Sequence, residues 1–238
     1  MEIVAEPVPV LDHGFVRYID HMGSDLSVVR AARVSYDAAW RAGEDEGSDA
    51  KLIRYLWKNH HTTPFEMGEV AFEIMAPIFV LRQWHRHRTQ SYNELSARYK
   101  ELPEIFYVPK PEAIGVQSAS SKQARDLSTE PLTHEERGRL LSEIELTRMQ
   151  NANAFELYRG LIARGWPREL ARSVLPIATY SHMFVKMNLL NFMKFLTLRC
   201  HSHAQYEIRV YAEVMRDIMK PYFPVCLQTW EDSQKGPK

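Results

Sequence analysis

The densest concentration of chemically able side chains is Arg82-Gln83-Trp84-His85-Arg86-His87-Arg88, followed by Glu94, Ser96 and Arg98. Within residues 82–98 four arginines stand against one carboxylate, a local formal charge of +3 with histidine neutral. Guanidinium forks bind phosphates in pairs of hydrogen bonds and stack on flat rings. Like charges this close repel one another, and a bound anion settles them. Ser91, Asn93 and Ser96 add neutral polar groups, so the stretch suits a phosphorylated ligand that carries a ring. The alternative is a solvated basic face with local ion pairing.

A second concentration is Asn188, Arg199, His201 and His203. Between Asn188 and Arg199 the chain is apolar almost all round, through Leu189, Leu190, Phe192, Met193, Phe195, Leu196 and Leu198. A helix of that kind is buried. A guanidinium at its end is costly unless something anionic or strongly polar meets it. Asn188 is placed to cap the helix or to present its amide to a ligand near the positive dipole end. The alternative is a simple cap at Asn188 and an Arg199 that reaches solvent.

Two His-x-His triplets, His85-Arg86-His87 and His201-Ser202-His203, raise the question of zinc. The first lies among arginines, which oppose a divalent cation. The second continues into a helical pattern, where i and i+2 do not share a face. The reading is therefore that no metal is bound. There is no glycine-rich dinucleotide loop, P-loop or nucleophile elbow. Cys200 and Cys226 read as small buried hydrophobes rather than nucleophiles.

Positioning these groups requires a scaffold, and its elements can be read in turn. Residues 15–20 read as a strand closed by Gly23, and Ser24 as the cap of a helix over 25–32. Ser48 reads as the cap of a second helix carrying Leu52, Ile53, Leu56 and Trp57, ended by His61-Thr62-Thr63-Pro64. Val70, Phe72 and Ile74 alternate with polar or small neighbours as a half-buried strand does. Pro77 suits the first turn of a helix through Ile78, Leu81 and Trp84. Residues 104–108 read as a short strand and the polar stretch 109–132 as a mobile loop or lid. Thr133 and Glu136 have capping-box spacing for a helix reaching about Gly165, a residue suited to ending one. Pro167 opens another helix, ended by Pro176, and residues 180–187 read as a strand. A last helix carries Ala204, Ile208, Tyr211, Met215 and Ile218 on one stripe, stopped by Pro221. Helices predominate and do not alternate regularly with strands, so the expected class is α+β, a single domain over residues 1–238 with a small, mainly antiparallel sheet.

The 238 residues carry Lys+Arg 30 against Asp+Glu 30 and only two cysteines. That length can bury a core unaided, and two cysteines exclude a disulfide scaffold or a four-thiolate zinc site. Zero net charge argues against a dedicated nucleic-acid or membrane binder. No segment approaches the roughly 20 apolar residues of a membrane span. The start Met1-Glu2-Ile3-Val4-Ala5-Glu6-Pro7 lacks a basic n-region, so a reduced, cytoplasmic setting is expected.

The run Arg86-His87-Arg88-Thr89-Gln90-Ser91-Tyr92-Asn93-Glu94-Leu95-Ser96-Ala97-Arg98 resembles the R-H-R-x-x-S-x-N-E-x-S-x-R signature of flavin-dependent thymidylate synthases at every fixed position. The segments 30–35, 61–66, 82–84, 167–172 and 198–205 also resemble that family, in the expected order. The resemblance implies the flavin-dependent thymidylate synthase fold and reductive methylation of dUMP to dTMP, yielding tetrahydrofolate. It implies 5,10-methylenetetrahydrofolate as one-carbon donor, FAD as redox cofactor and NADPH as reductant. It also implies a homotetramer with shared active sites and no cysteine nucleophile.

By the same resemblance, Gln83, Trp84, His85 and Arg86 would bind dUMP, together with Glu94, Leu95, Ser96, Ala97 and Arg98. Arg199 would complete that site as its catalytic cation, with Arg172 reaching in from a neighbouring subunit. The flavin would meet Ser35, Thr63, Arg86, His87 and Arg88, and further along the chain Glu94, Asn188 and His203. His61 would lie near flavin and folate. Lys194 stands where the family often has Asn or His against the flavin. Ser96 has no evident base at fixed spacing and reads as a hydrogen-bond donor to phosphate rather than a nucleophile. Two rivals remain: a metal-dependent hydrolase built on the His-x-His triplets, and a single-stranded RNA-binding module using Trp84 and Tyr92 among the arginines.

Overall fold

The computed structural model describes residues 5–127 and 130–235. The acidic chain start falls mostly on residues 1–4, outside the described residues. In chain order the elements are β1 (Val8–Val10), β2 (Gly14–Met22), α1 (Asp25–Arg33), α2 (Glu46–Lys58), β3 (Glu69–Pro77), α3 (Ile78–Trp84) and β4 (Ser91–Glu94). They continue as α4 (Pro111–Ile114), β5 (Val116–Gln117), β6 (Arg125–Asp126), α5 (His134–Ala163) and α6 (Arg168–Ala171). The chain then runs through β7 (Tyr180–Asn188), α7 (Leu189–Arg199), α8 (Tyr206–Met219) and α9 (Pro224–Gln234).

Five strands form one antiparallel sheet in the order β1-β2-β3-β7-β4. Period-two alternation decides its faces. Val16, Ile74 and Met183 lie in register, as do Phe72 and Val185. All five point into the core, where Trp84, Phe192, Phe195, Tyr211 and Met215 meet them. The opposite face carries Phe15, Arg17, Glu73, Met75, His182 and Phe184. There the nearly buried Glu73 carboxylate pairs with Arg17 and lies 2.7 Å from His182 Nε2. Gly14 is required by close approach, because a Cβ there would overlap the Tyr211 hydroxyl. A smaller cluster of Phe155, Tyr158, Leu161 and Ala171 joins α5 to α6.

The α+β reading holds, with several local differences. Asp45 rather than Ser48 caps α2; its carboxylate accepts the Ser48 N–H at 3.0 Å. Residues 104–108 contribute only a single bridge, Phe106 to Thr179. The stretch 109–132 contains α4 and the β5–β6 ribbon, in which the Gln117 amide donates to the Ser121 and Ala124 carbonyls. Ser128 and Thr129 of that stretch lie outside the described residues. The helix stopped by Pro221 is followed by another, α9. Thr133 with Glu136, and Asn188, cap as expected, and Ser24 stands at the cap position of α1 with its N–H donating to Ser27 Oγ at 3.1 Å. No helix among the described residues is long and apolar enough to cross a membrane.

Candidate active site

Asn188 closes β7 and opens α7, its side-chain oxygen accepting the Asn191 N–H at 2.9 Å. The helix buries Leu189, Leu190, Phe192, Met193, Phe195 and Leu196, which fixes its rotation and leaves Arg199 at its last turn. The Arg199 Nε–H donates to His87 Nε2 at 2.9 Å. Its Nη2 donates to the Gln83 carbonyl at 3.2 Å and its Nη1 to Gln83 Oε1 at 3.4 Å. Each partner is neutral, and partial burial holds the Arg199 pKa below its ordinary value. Burial, and after it the charge of Arg199, push His87 down to about 4. His87 is therefore neutral near pH 7. Because Nε2 accepts from Arg199, the ring proton sits on Nδ1.

Gln83, Thr197, Arg199, His201, His203 and Gln205 line one cavity of about 740 Å3. A partly desolvated cation held by neutral acceptors beside a cavity of this size can stabilise negative charge developing on a bound ring.

The basic loop is pinned from within. The Tyr92 hydroxyl lies 2.7 Å from the His87 carbonyl, 3.1 Å from that of Trp84 and 3.0 Å from Gln90 Oε1. Trp84 is fully buried, stacked on Phe195, with its indole N–H on Gln90 Oε1 at 3.1 Å. Its side chain belongs to the core, and only its main chain faces the loop. Ala97 is likewise buried. Glu94 accepts from the buried Ser181 hydroxyl at 2.7 Å and lies 3.8 Å from His85 Nε2. The Leu95 N–H donates to the His182 carbonyl at 2.7 Å. The Ser96 hydroxyl accepts the Arg98 N–H at 3.3 Å, and among the described residues no imidazole or carboxylate bonds it as a base would. Arg86 and Arg88 are exposed, and among the described residues neither has a carboxylate partner. Arg98 lies 3.4 Å from Glu169, whose carbonyl accepts from exposed Arg172 at 3.3 Å.

A separate cavity of about 1010 Å3 lies between α1, α2 and the 3-10 turn Thr63–Met67. Ser35, Thr63 and His61 line it, together with Arg30 and the apolar side chains of Tyr36, Tyr55, Leu56 and Met67. This turn packs on α7 at its start, where the Leu189 N–H donates to the Gly68 carbonyl at 2.8 Å. Asn188 and Arg199 thus sit at opposite ends of an 11-residue helix, about 16 Å apart at 1.5 Å per residue. One chain brings Gln83, His87, Arg199 and His203 together at one end and Ser35, His61 and Thr63 near the other. Lys194 is exposed between them, lining neither cavity.

The two His-x-His triplets lie at the same end of α7 without forming a ligand set. The rings of His201 and His203 meet edge to face at 4.9 Å, and no group of three or more metal-ligating side chains is gathered among the described residues. Burial raises both thiols, Cys200 to about 12, so neither is a thiolate near pH 7. Sequence reasoning missed Tyr92 as the staple of the loop. It also missed Tyr107 and Glu207, which meet each other across 100 residues of chain. The only signal at Glu207 is an acid in a helix's first turn, which ordinarily reads as a dipole effect.

Residues 17–225 match the Thy1 family, thymidylate synthase complementing protein. The flavin-dependent thymidylate synthase of Wolbachia pipientis wMel is 46% identical over 225 residues, spanning 94% of this chain and 76% of its own length. That of Rickettsia bellii (strain RML369-C) is 43% identical over 243 residues, spanning 97% and 80%. Among solved structures, the UMP/dUMP methylase PolB from Streptomyces cacaoi, bound with 5-Br dUMP, superposes with a TM-score of 0.82. The two are 35% identical over 94% of this chain and 97% of that one. With the α+β fold and most of its length matched, the chain belongs to the Thy1 family, the flavin-dependent thymidylate synthases.

Proposed function

We propose that the chain catalyses dUMP + 5,10-methylenetetrahydrofolate + NADPH + H+ → dTMP + tetrahydrofolate + NADP+, with FAD as redox cofactor. Family membership supports the reaction class, and the dUMP analogue in the Streptomyces methylase supports the substrate. The observation that carries the reading furthest is Arg199, partly buried and braced by neutral acceptors over its cavity. Uracil C5 becomes nucleophilic only when electron density is pushed onto the ring. A fixed cation beside the ring carbonyls stabilises that charge as it develops. Gln83 and neutral His87 hold the guanidinium in place.

The exposed Arg86 meets phosphate, with Arg98 and the Ser96 hydroxyl beside it. His85, Glu94 and Leu95 shape the same edge, and Trp84 and Ala97 contribute main chain only. Arg172 enters from a neighbouring copy in a homotetramer.

The residues fit a flavin. The larger cavity has apolar walls for a ring system and hydroxyls at Ser35 and Thr63 for phosphate. His61, on the wall of the same cavity, would lie near both flavin and folate. Arg88 and Lys194 are exposed cations with no carboxylate partner among the described residues, Asn188 offers its amide, and Glu94 and His203 complete the contacts. With His87 Nε2 engaged by Arg199, Nδ1–H is the atom it offers. When bound, FAD supplies the two-electron exchange, and the chain aligns the rings. Two free thiols suit a cytoplasmic setting.

The test is NADPH oxidation by the FAD-loaded protein with and without dUMP, then dTMP formation on adding methylenetetrahydrofolate. Arg199→Ala should bind dUMP more weakly and form dTMP about a hundredfold more slowly, with flavin retained. Wild-type turnover in that variant sinks the assignment. UMP in place of dUMP is the second arm, and equal turnover with it would widen the substrate class.

A further inference from the structure

Behind Arg199 runs a chain of three side chains, Gln83, Gln205 and Glu207, and the last two have no part in the reaction as described. Gln83 Oε1 accepts from Arg199 Nη1. Gln83 Nε2 donates to Gln205 Oε1 across a short contact. Gln205 Nε2 donates to Glu207 Oε2 at 2.9 Å. Glu207 is 2% exposed. Its other oxygen accepts from Tyr107 Oη at 3.1 Å and from Arg125 Nη2, on the β5–β6 ribbon, at 2.8 Å.

A carboxamide can sit in either of two flipped orientations, and its neighbours decide which. Here both ends of the chain are fixed by charge. Arg199 can only donate, and ionised Glu207 can only accept. The carboxylate draws the NH2 of Gln205, which turns the Gln205 oxygen toward Gln83. That oxygen draws the NH2 of Gln83, which leaves the Gln83 oxygen facing Arg199. Only one arrangement of the two amides satisfies both ends. If Glu207 became a neutral amide, both glutamines could flip together, and an NH2 of Gln83 would face the guanidinium.

We propose that Glu207 is a positioning residue that orients Arg199 through the Gln205 and Gln83 carboxamides, and that its pairing with Arg125 ties the β5–β6 ribbon to the same chain. This rests on the reading of Arg199 as the cation of the dUMP site. Tyr107 neutralises nothing and serves to satisfy the buried carboxylate, as does Arg125. Two carboxylate oxygens thus divide the work: one sets the amide chain and the other anchors the ribbon.

The test is a double-mutant cycle on the FAD-loaded enzyme, read by calorimetric dUMP binding and by kcat and KM. Glu207→Gln should weaken dUMP binding about tenfold and lower kcat, with flavin content and melting temperature close to wild type. In an Arg199→Ala background the same change should have no further effect on dUMP binding. Arg125→Gln removes the ribbon's charge from Glu207 but leaves the Tyr107 hydroxyl and the Gln205 amide donating to the carboxylate, and should leave dUMP affinity within about twofold of wild type. If Glu207→Gln does not fold, Gln205→Met cuts the chain at its middle and enters the same cycle. Equal losses in wild-type and Arg199→Ala backgrounds would show a purely structural role and overturn the proposal. So would unchanged dUMP affinity in Glu207→Gln. If Arg199→Ala alone leaves dUMP binding intact, the reading of the site fails instead, and the two failures are told apart.

Discussion

His87 shows what a single residue's surroundings do to its chemistry. Its sequence neighbours are arginines, which suggested a cationic stretch, but burial against Phe195 and the Arg199 contact keep the ring neutral down to about pH 4. The unfolded chain takes up a proton as pH falls through 6.5, while the folded chain resists until about 4. Stability therefore falls across that window as pH is lowered. His87→Gln keeps an acceptor for Arg199 and cannot titrate. We expect it to flatten the loss of stability between about pH 6.5 and about pH 4.5, read from urea unfolding midpoints. Parallel losses in variant and wild type would remove His87 as the cause. At this scale the residue types that do chemistry were legible, because Arg199 at the end of an apolar helix signals itself. The bonds that tune them were not: Gln83 and His87 reach Arg199 across more than a hundred residues of chain.

Elements were legible where their boundaries are written locally and missed where they are not. Thr133 and Glu136 close a reciprocal box three residues apart, and α5 begins there. The start of α9 has no such box, only Pro224 at its first position. Its cap position is Phe223, which offers no side-chain acceptor. The acceptor comes from α1, where Asp25 takes the Val225 N–H at 2.8 Å and the Cys226 N–H at 3.0 Å. A carboxylate at a helix N-terminus satisfies unpaired donors and the dipole together. In the sequence Asp25 reads only as an acid in its own helix's first turn. Asp25→Ala should cost about 2 kcal/mol and loosen α9 ahead of the sheet. Hydrogen exchange resolved by element measures this, and unchanged protection of the Val225 and Cys226 amides would refute it. The β5–β6 ribbon escaped detection for a similar reason, since the residue that ties it to the rest of the chain, Glu207, lies outside its own stretch.

Across the whole molecule the zero net charge conceals a division of labour. The basic loop and Arg199 lie at one end of α7, and the cavity lined by Ser35, His61 and Thr63 lies near the other. One protomer also leaves apolar surface uncovered, at Phe184 on the outer sheet face and at Leu141, Leu146 and Met149 on α5. Uncovered apolar surface of this kind is what association buries. Arg172 is exposed and, among the described residues, its side chain bonds only the Glu169 carbonyl, which leaves it able to serve another copy. If the active site takes Arg199 from one subunit and Arg172 from a neighbour, Arg172→Ala and Arg199→Ala must be separately defective yet complement each other. Mixed after mild dissociation and reassembled at equal amounts, the two variants would place both native arginines together in about one quarter of sites. We expect dTMP formation to recover toward that fraction, with each variant alone near background. The double variant mixed with a protein lacking neither arginine serves as the reassembly control. No recovery in mixtures shown by mass to contain both chains would mean that Arg172 and Arg199 act within one subunit, and the shared site would be abandoned.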